Sequence, residues 1–331
     1  MLTWLPYYLL EERHFDCKVI PSPLRPIYEL SGQVICTPAN LTALTAAVKA
    51  GKTACLGAMM GSAMTTRHDT DMLGFSSGNS KSIALVHFDS EQSPDDHWHC
   101  DMRALKRAGL TESPNWFHSY CLTGLDYKTA WKCVNEAVKR HADRHGGVHS
   151  IILDGIADLV ADVNDPAESN AFVAELHSMA IEYDSSIIGV IHFNPGSEKT
   201  RGHLGSQFER KAETNLRLDK TDEVTTIWSE KQRRAPISKE SGPCFSWSDE
   251  AGMHISTATR QKSADEEKAE AYKLFADDVF KDRPSMRYSD LITTLREHMK
   301  VTLSTAERRT RDMARLKVIK KSVAGMWIKG T

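Results

Sequence analysis

The sequence predicts an α/β protein: a mostly parallel sheet covered on both faces by helices, followed by a smaller basic module. Three observations carry this reading. Short β-branched runs ending in a polar residue recur through the middle of the chain, amphipathic helical stretches separate them, and after about Thr257 the pattern changes to charged helices.

Residues 1–40 carry Pro6, Pro21, Pro23, Pro26 and Pro38 with little periodicity, which predicts an extended lead-in packed on the core. The core is expected over 41–258. Leu41–Leu44, Ile83–Phe88, Ile151–Leu153, Ile187–Ile191 and Thr225–Trp228 read as strands. Ala54–Met60, Asp101–Ala108, Thr129–Arg144 and Asn170–Tyr183 read as helices; Ala130, Cys133, Val134 and Ala137 share one face of the third. Sheets built this way seat ligands at the carboxyl ends of their strands. Over 259–331 the pattern predicts a charged, Ala-rich linker helix at Ala264–Lys281 and helices at Ser289–Met299 and Ser304–Leu316. The last opens on a capping box of Ser304 and Glu307. A hairpin over Val318–Ile328 turns at Ala324-Gly325. Two helices and a short hairpin suggest a winged helix-turn-helix.

Composition narrows the function classes. Of 331 residues 40% are hydrophobic and 26% charged, which excludes collagen-like and largely disordered chains. Forty-two basic residues against 44 acidic ones leave a net charge of −2, so any affinity for nucleic acid must come from a local patch. No run approaches the roughly 18 apolar residues that span a bilayer. The apolar opening Met1–Leu10 lacks a basic flank and makes a poor signal peptide. Seven scattered cysteines, with no Cys-x-x-Cys pair, read as reduced thiols of a cytoplasmic protein.

Ala46-Ala47-Val48-Lys49-Ala50-Gly51-Lys52-Thr53 fits the phosphate-binding P-loop, with Ala54 opening the helix behind it. Backbone N–H groups converge there on phosphates, Lys52 reaches the β- and γ-phosphates, and the Thr53 hydroxyl holds Mg²⁺. Asp154 follows an apolar run directly, the Walker-B placement for a second Mg²⁺ contact. Glu91 lies past the end of the strand after the P-loop helix, where a carboxylate orients attacking water. His192 ends another strand, within reach of the γ-phosphate.

Taken together in this order, these residues resemble the RecA-like P-loop ATPase core, in particular the RepA-like replicative helicases and related plasmid, phage and mobile-element ATPases of the AAA family. The carriers are Val48-Lys-Ala-Gly-Lys-Thr53, Phe88-Asp-Ser-Glu-Gln92 and Ile152-Leu-Asp154. The resemblance implies ATP and Mg²⁺ as cofactors, Glu91 as the water-activating residue and His192 as the sensor. It places Arg201 and His203, in Arg201–Gly205, on a mobile DNA-facing loop. Lys231 and Arg233, in Lys231–Pro236, match the segment that reaches a neighbour's γ-phosphate, which implies a homo-oligomeric ring or filament. Arg234 reads as a solvated basic residue. Ala46 departs from the usual glycine, and with Ala47 it bears on turnover more than on binding.

From Arg283 to Thr331 twelve basic residues face four acidic ones. Arg308, Arg309, Arg311 and Arg315 lie on one predicted helix and suit DNA phosphates. The stretch Asp95-Asp-His-Trp-His-Cys100 fits no standard zinc spacing, even with His118 and Cys121 nearby, and reads as a loop. His141, His145 and His149 read as surface residues. The expected function is a DNA-acting ATPase, a helicase-like motor in replication or recombination of a mobile element. Two other readings stay open: a non-motor, ATP-switched DNA-binding regulator or loader, and a small-molecule P-loop kinase, which leaves the basic tail unexplained.

Overall fold

The computed structural model describes residues 10–11, 13–67, 69–194, 200–257, 264–281, 283–322 and 325–330. The apolar opening up to residue 9 and Ala324 of the expected turn lie outside them. The chain divides into two units, Met1–Asp219 with Thr226–Ser256, and Lys220–Thr225 with Thr257–Thr331.

The first unit is built on a nine-stranded sheet. Its parallel part comprises β3 (Asn40–Ala46), β5 (Ala84–Asp89), β6 (Phe117–Cys121), β7 (Val148–Asp154), β8 (Ser186–His192) and β9 (Thr214–Thr221). These strands stand in the order β9-β3-β8-β7-β5-β6. Beyond β9 the sheet continues through β10 (Val224–Gln232), β11 (Cys244–Ser248) and β12 (Met253–Thr257). Alternate side chains feed two apolar layers. Leu44, Ile152, Ile188 and Val190 face one; Leu41, Ala43, Ile151, Leu153, Ile187 and Ile191 face the other.

The first layer is covered by α1 (Lys52–Met64) and α2 (Pro94–Ala108), the second by α3 (Tyr127–His145), α4 (Pro166–Glu182) and α5 (Gly202–Lys211). Helix α1 is apolar almost all round, as a helix held between sheet and neighbours must be. Its Gly61 lets α2 approach: a Cβ there would stand 3.3 Å from the Ala104 carbonyl oxygen. Helix α2 starts earlier than its sequence suggests. Ser93 caps it by accepting from the Asp96 N–H, and Pro94 occupies the first turn, so Asp95–Cys100 are helical and not a loop.

The lead-in is more structured than its prolines imply. β1 (Tyr28–Leu30) and β2 (Gln33–Cys36) form a small antiparallel sheet with β4 (Phe75–Ser77). A buried polar knot fastens this sheet to β7. The Tyr28 hydroxyl lies 2.9 Å from Ser150 Oγ, and His149 reaches Ser150 with Nδ1 (3.0 Å) and Ser77 with Nε2 (3.2 Å). His149, read from sequence as a surface residue, is 2% exposed.

The second unit holds α6 (Ala264–Val279), α7 (Tyr288–Met299), α8 (Leu303–Arg315) and the antiparallel pair β13 (Ile319–Lys321) and β14 (Trp327–Lys329). Its core gathers Tyr272, Phe275, Leu291, Leu295, Ala306, Met313 and Ile319. Helix α8 begins one residue before the expected capping box: Thr302 is its N-cap, and no side chain among the described residues caps it. Among the described residues no helix is long and apolar enough to cross a membrane.

Burial pushes the His149 imidazole down from its ordinary 6.5 to about 4, with the Arg25 charge adding to the effect. The folded chain therefore holds it neutral, while the unfolded chain protonates it near its ordinary value. Its contribution is fully present above about pH 6.5 and is lost as pH falls toward about 4, a loss of roughly 3 kcal/mol. Urea unfolding of the wild type and His149→Gln at about pH 7 and about pH 4.5 checks this. The stability gap between the two proteins should narrow in acid.

Candidate functional site

Four parallel strands end side by side, and their register assembles the site. Ala46 at the end of β3 pairs with His192 at the end of β8, and Asp89 at the end of β5 pairs with Asp154 at the end of β7. The P-loop runs from Ala46 to the first turn of α1. Left-handed backbone occurs at Lys49 (φ 63°) and Gly51 (φ 90°), the latter being the N-cap of α1. Ala46 and Ala47 do not have positive φ, so neither position demands glycine. Val48 is exposed, as are Ala47 and Lys49, while Ala50 is buried. Helix α1 has no acid in its first turn, leaving its N-terminal dipole free for an anion.

Lys52 is buried, which pulls its ammonium pKa down, while Glu91 and Asp154 act against that shift. Its Nζ lies 3.1 Å from His192 Nδ1, and His192 Nε2 lies 2.9 and 3.0 Å from the two Glu91 oxygens. An ammonium has only protons to offer and a carboxylate only lone pairs. With both partners charged, the imidazole must accept at Nδ1 and donate from Nε2. The three residues that resemblance assigned to separate roles thus form one hydrogen-bonded chain.

The Glu91 loop is held from below. Asp89 Oδ1 accepts from the Glu91 and Gln92 N–H groups, each at 3.0 Å, and Asp89 Oδ2 faces His97 Nδ1 at 3.3 Å. Burial alone would raise the Asp89 pKa, but the His97 contact and the two N–H groups outweigh it and hold it below the usual carboxylate value. His97 is pushed up in turn, chiefly by Asp89. Ser119 Oγ lies 3.1 Å from His97 Nε2 and 2.8 Å from His87 Nδ1, closing the network. Gly155 completes the fit: a Cβ there would fall 2.3 Å from Ser90 Oγ and 2.9 Å from Glu91 Cγ. Asp89, His97, Ser119 and Gly155 escaped the sequence reading. The acid closing the β5 run was the one local signal for them.

Asp154 is buried and its pKa is pushed up to about 7, first by burial and then by Asp89 and Glu91. Its Oδ1 has no hydrogen-bond partner among the described residues. A buried carboxylate oxygen left unpartnered beside two other carboxylates suits a cation or its bound water. Thr53 lines the same cavity, so the residues fit Mg²⁺.

That cavity, about 280 Å³, extends from Lys52, Thr53, Glu91 and Asp154 to a wall made by Arg103, Trp247 and His254. The Arg103 guanidinium stands 5.7 Å from the centre of the Trp247 ring, and His254 meets that ring edge-on at 5.4 Å. Arg107 ties α2 to β12 through the His254 carbonyl (2.6 Å). Nothing local in the sequence marks this wall, because α2 and β11 meet only in the fold.

The remaining expected residues lie elsewhere. Lys231 is a correction: its ammonium donates to the carbonyls of Glu209, Arg210 and Ala212 at 3.0, 2.8 and 2.7 Å, closing the C-terminus of α5. Arg233 is exposed and reaches Asn40 Oδ1 at 3.1 Å. Asn40 begins the strand whose far end carries the P-loop, roughly 20 Å away, so Arg233 cannot serve its own chain's phosphates. Arg234 is not simply solvated, for it pairs at 2.8 Å with the fully buried Glu213. The Arg201–Gly205 segment is the N-cap and first turn of α5 instead of a loop; Arg201 and His203 are exposed, Leu204 and Gly205 buried. On α8, Arg308, Arg311 and Arg315 are exposed, while Arg309 is half-buried with Nη1 2.9 Å from Met299 Sδ.

Comparison with known proteins agrees with this geometry. A family model described as an AAA domain matches residues 17–198. No curated protein sequence matches the chain. Among solved structures, the ATPase domain of a helicase aligns at 14% identity with a TM-score of 0.45, covering 67% of this chain and 86% of that one. The family match spans more than half of the sequence, and the chain belongs to the AAA domain family of P-loop ATPases.

Proposed function

We propose that this protein hydrolyses Mg·ATP as a homo-oligomer and couples turnover to work on DNA, as a helicase-like motor of a mobile element. The Lys52–His192–Glu91 chain is the observation that carries the reading. It links the lysine that meets the γ-phosphate to the carboxylate that prepares water. Lys52 and the N–H groups of Lys49–Thr53 hold the phosphates. Mg²⁺, held by Thr53 and Asp154, would neutralise charge on the β- and γ-oxygens. A γ-phosphate competes with His192 for the Lys52 ammonium and frees Nδ1 of the imidazole. The change passes through the ring to Glu91, which then takes the proton of the attacking water. Arg103 and Trp247 flank the base. Arg233 of a neighbouring subunit supplies the finger, and Lys231 sets the floor on which the strand carrying Arg233 rests. Arg201, His203 and the α8 arginines Arg308, Arg311 and Arg315 contact DNA phosphates, with α7, α8 and the β13–β14 pair acting as a winged helix-turn-helix; Arg309 steadies α8 against α7.

A second reading, an ATP-switched loader or regulator, draws on the same chain. With both Glu91 oxygens on His192, the carboxylate is held in a resting position that nucleotide binding alone could release.

Steady-state ATP turnover with and without single-stranded DNA separates the two. A motor should be stimulated at least about tenfold, with Lys52→Ala silent in both conditions. ATP binding with slow turnover indifferent to DNA would favour the switch. Mixing Glu91→Gln with Arg233→Ala subunits should recover part of the activity that each lacks alone. Full activity in Arg233→Ala by itself would remove that residue from the mechanism. Trp247→Ala should raise the KM for ATP by roughly tenfold with kcat nearly unchanged, since stacking on the base binds ground and transition states alike.

A further inference from the structure

We propose that His118, His141 and His145 form a binding site for a zinc-class divalent cation, separate from the nucleotide cavity. His141 and His145 stand four residues apart on the last turns of α3, and so share one helix face. His118 comes to that face from β6, the strand that ends the sheet. One ring nitrogen from each of the three lies within 4.8 Å of the others. The Nε2 atoms of His118 and His145 are 2.9 Å apart. Two nitrogens on one tetrahedral zinc, at Zn–N distances of about 2.0–2.1 Å, stand roughly 3.3 Å apart. The pair therefore needs only a few tenths of an ångström to open.

The electrostatics agree with this geometry. Burial and the charges of its two histidine neighbours push His118 down to about 4, and His141 and His145 are lowered as well, chiefly by burial. All three rings present lone pairs at neutral pH, as ligation requires. His141 is 4% exposed and its Nδ1 has no partner among the described residues, while its Nε2 lies 2.5 Å from the Tyr120 hydroxyl. One nitrogen is thus available to a cation, and the other already has the outer partner that orients a ligating imidazole. The His118 and His141 rings stack with 12° between their planes. A cation lies in the plane of every ring it binds, so ligation turns one of the two about its Cβ–Cγ bond. Three imidazoles without a carboxylate or thiolate select zinc, nickel or copper over magnesium. The cation would tie the sheet's terminal strand to α3.

The test uses the full chain, stripped of metal, without nucleotide and with Mg²⁺ present to fill oxygen sites. Calorimetric titration with Zn²⁺ should show one equivalent bound, weakened roughly 100-fold or more in His145→Ala and in His118→Gln. Cobalt replacing zinc should give the visible bands of a tetrahedral site. His145→Cys should keep those bands and add a thiolate charge-transfer band, which a merely structural role for the histidine would not produce. Zinc should raise the melting temperature of the wild type but not of His145→Ala, whose far-ultraviolet dichroism reports whether it folds. Zinc affinity unchanged in both variants, loss in His97→Gln instead, or no saturable binding to the wild type would each overturn the proposal.

Discussion

Parallel pairing in register is the constraint on which the site depends. β3, β8, β7 and β5 are neighbours, and their last residues finish at the same edge. Chain reversals between parallel strands must pass through helices, so the segments 47–51, 90–93 and 155 onward are delivered to that edge from quite different parts of the sequence. Once the strands are paired, Lys52, Glu91, Asp154 and His192 have little choice of neighbourhood. The apolar alternation that buries Leu41 and Leu44 on opposite faces is therefore also what fixes the catalytic geometry.

Three acids crowd this edge, and the fold gives each a different charge environment. Asp89 is bound by N–H groups and His97 and stays a carboxylate. Glu91 is balanced by the Lys52–His192 chain. Asp154 has no partner at Oδ1 among the described residues, and burial beside the other two raises its pKa. A cation relieves this directly, and the cost of folding the site is offset only when phosphate and cation arrive together. That coupling makes an empty pocket a poor site for either alone.

Basic side chains show how context overrides composition. Lys231, Arg233 and Arg234 lie almost consecutively in the sequence. In the fold one caps a helix, one is exposed beside the start of β3, and one neutralises a buried glutamate. On α8 the helical spacing puts Arg308, Arg311 and Arg315 outward and turns Arg309 toward Met299.

Sequence alone determined the α/β class, the P-loop, the acid after β7 and the strand-ending His192. Each is encoded within a few residues, by β-branched runs, a phosphate-binding loop and a polar residue at a strand end. Tertiary structure alone decided the Lys52–His192–Glu91 chain, the Asp89–His97 support, the Arg103–Trp247 wall and the histidine cluster. Each joins side chains from elements far apart in the chain, and no local pattern records which helix face meets which strand. The lead-in sheet was illegible for the same reason: β1 needs β4, which lies beyond the whole of α1, before its backbone has partners.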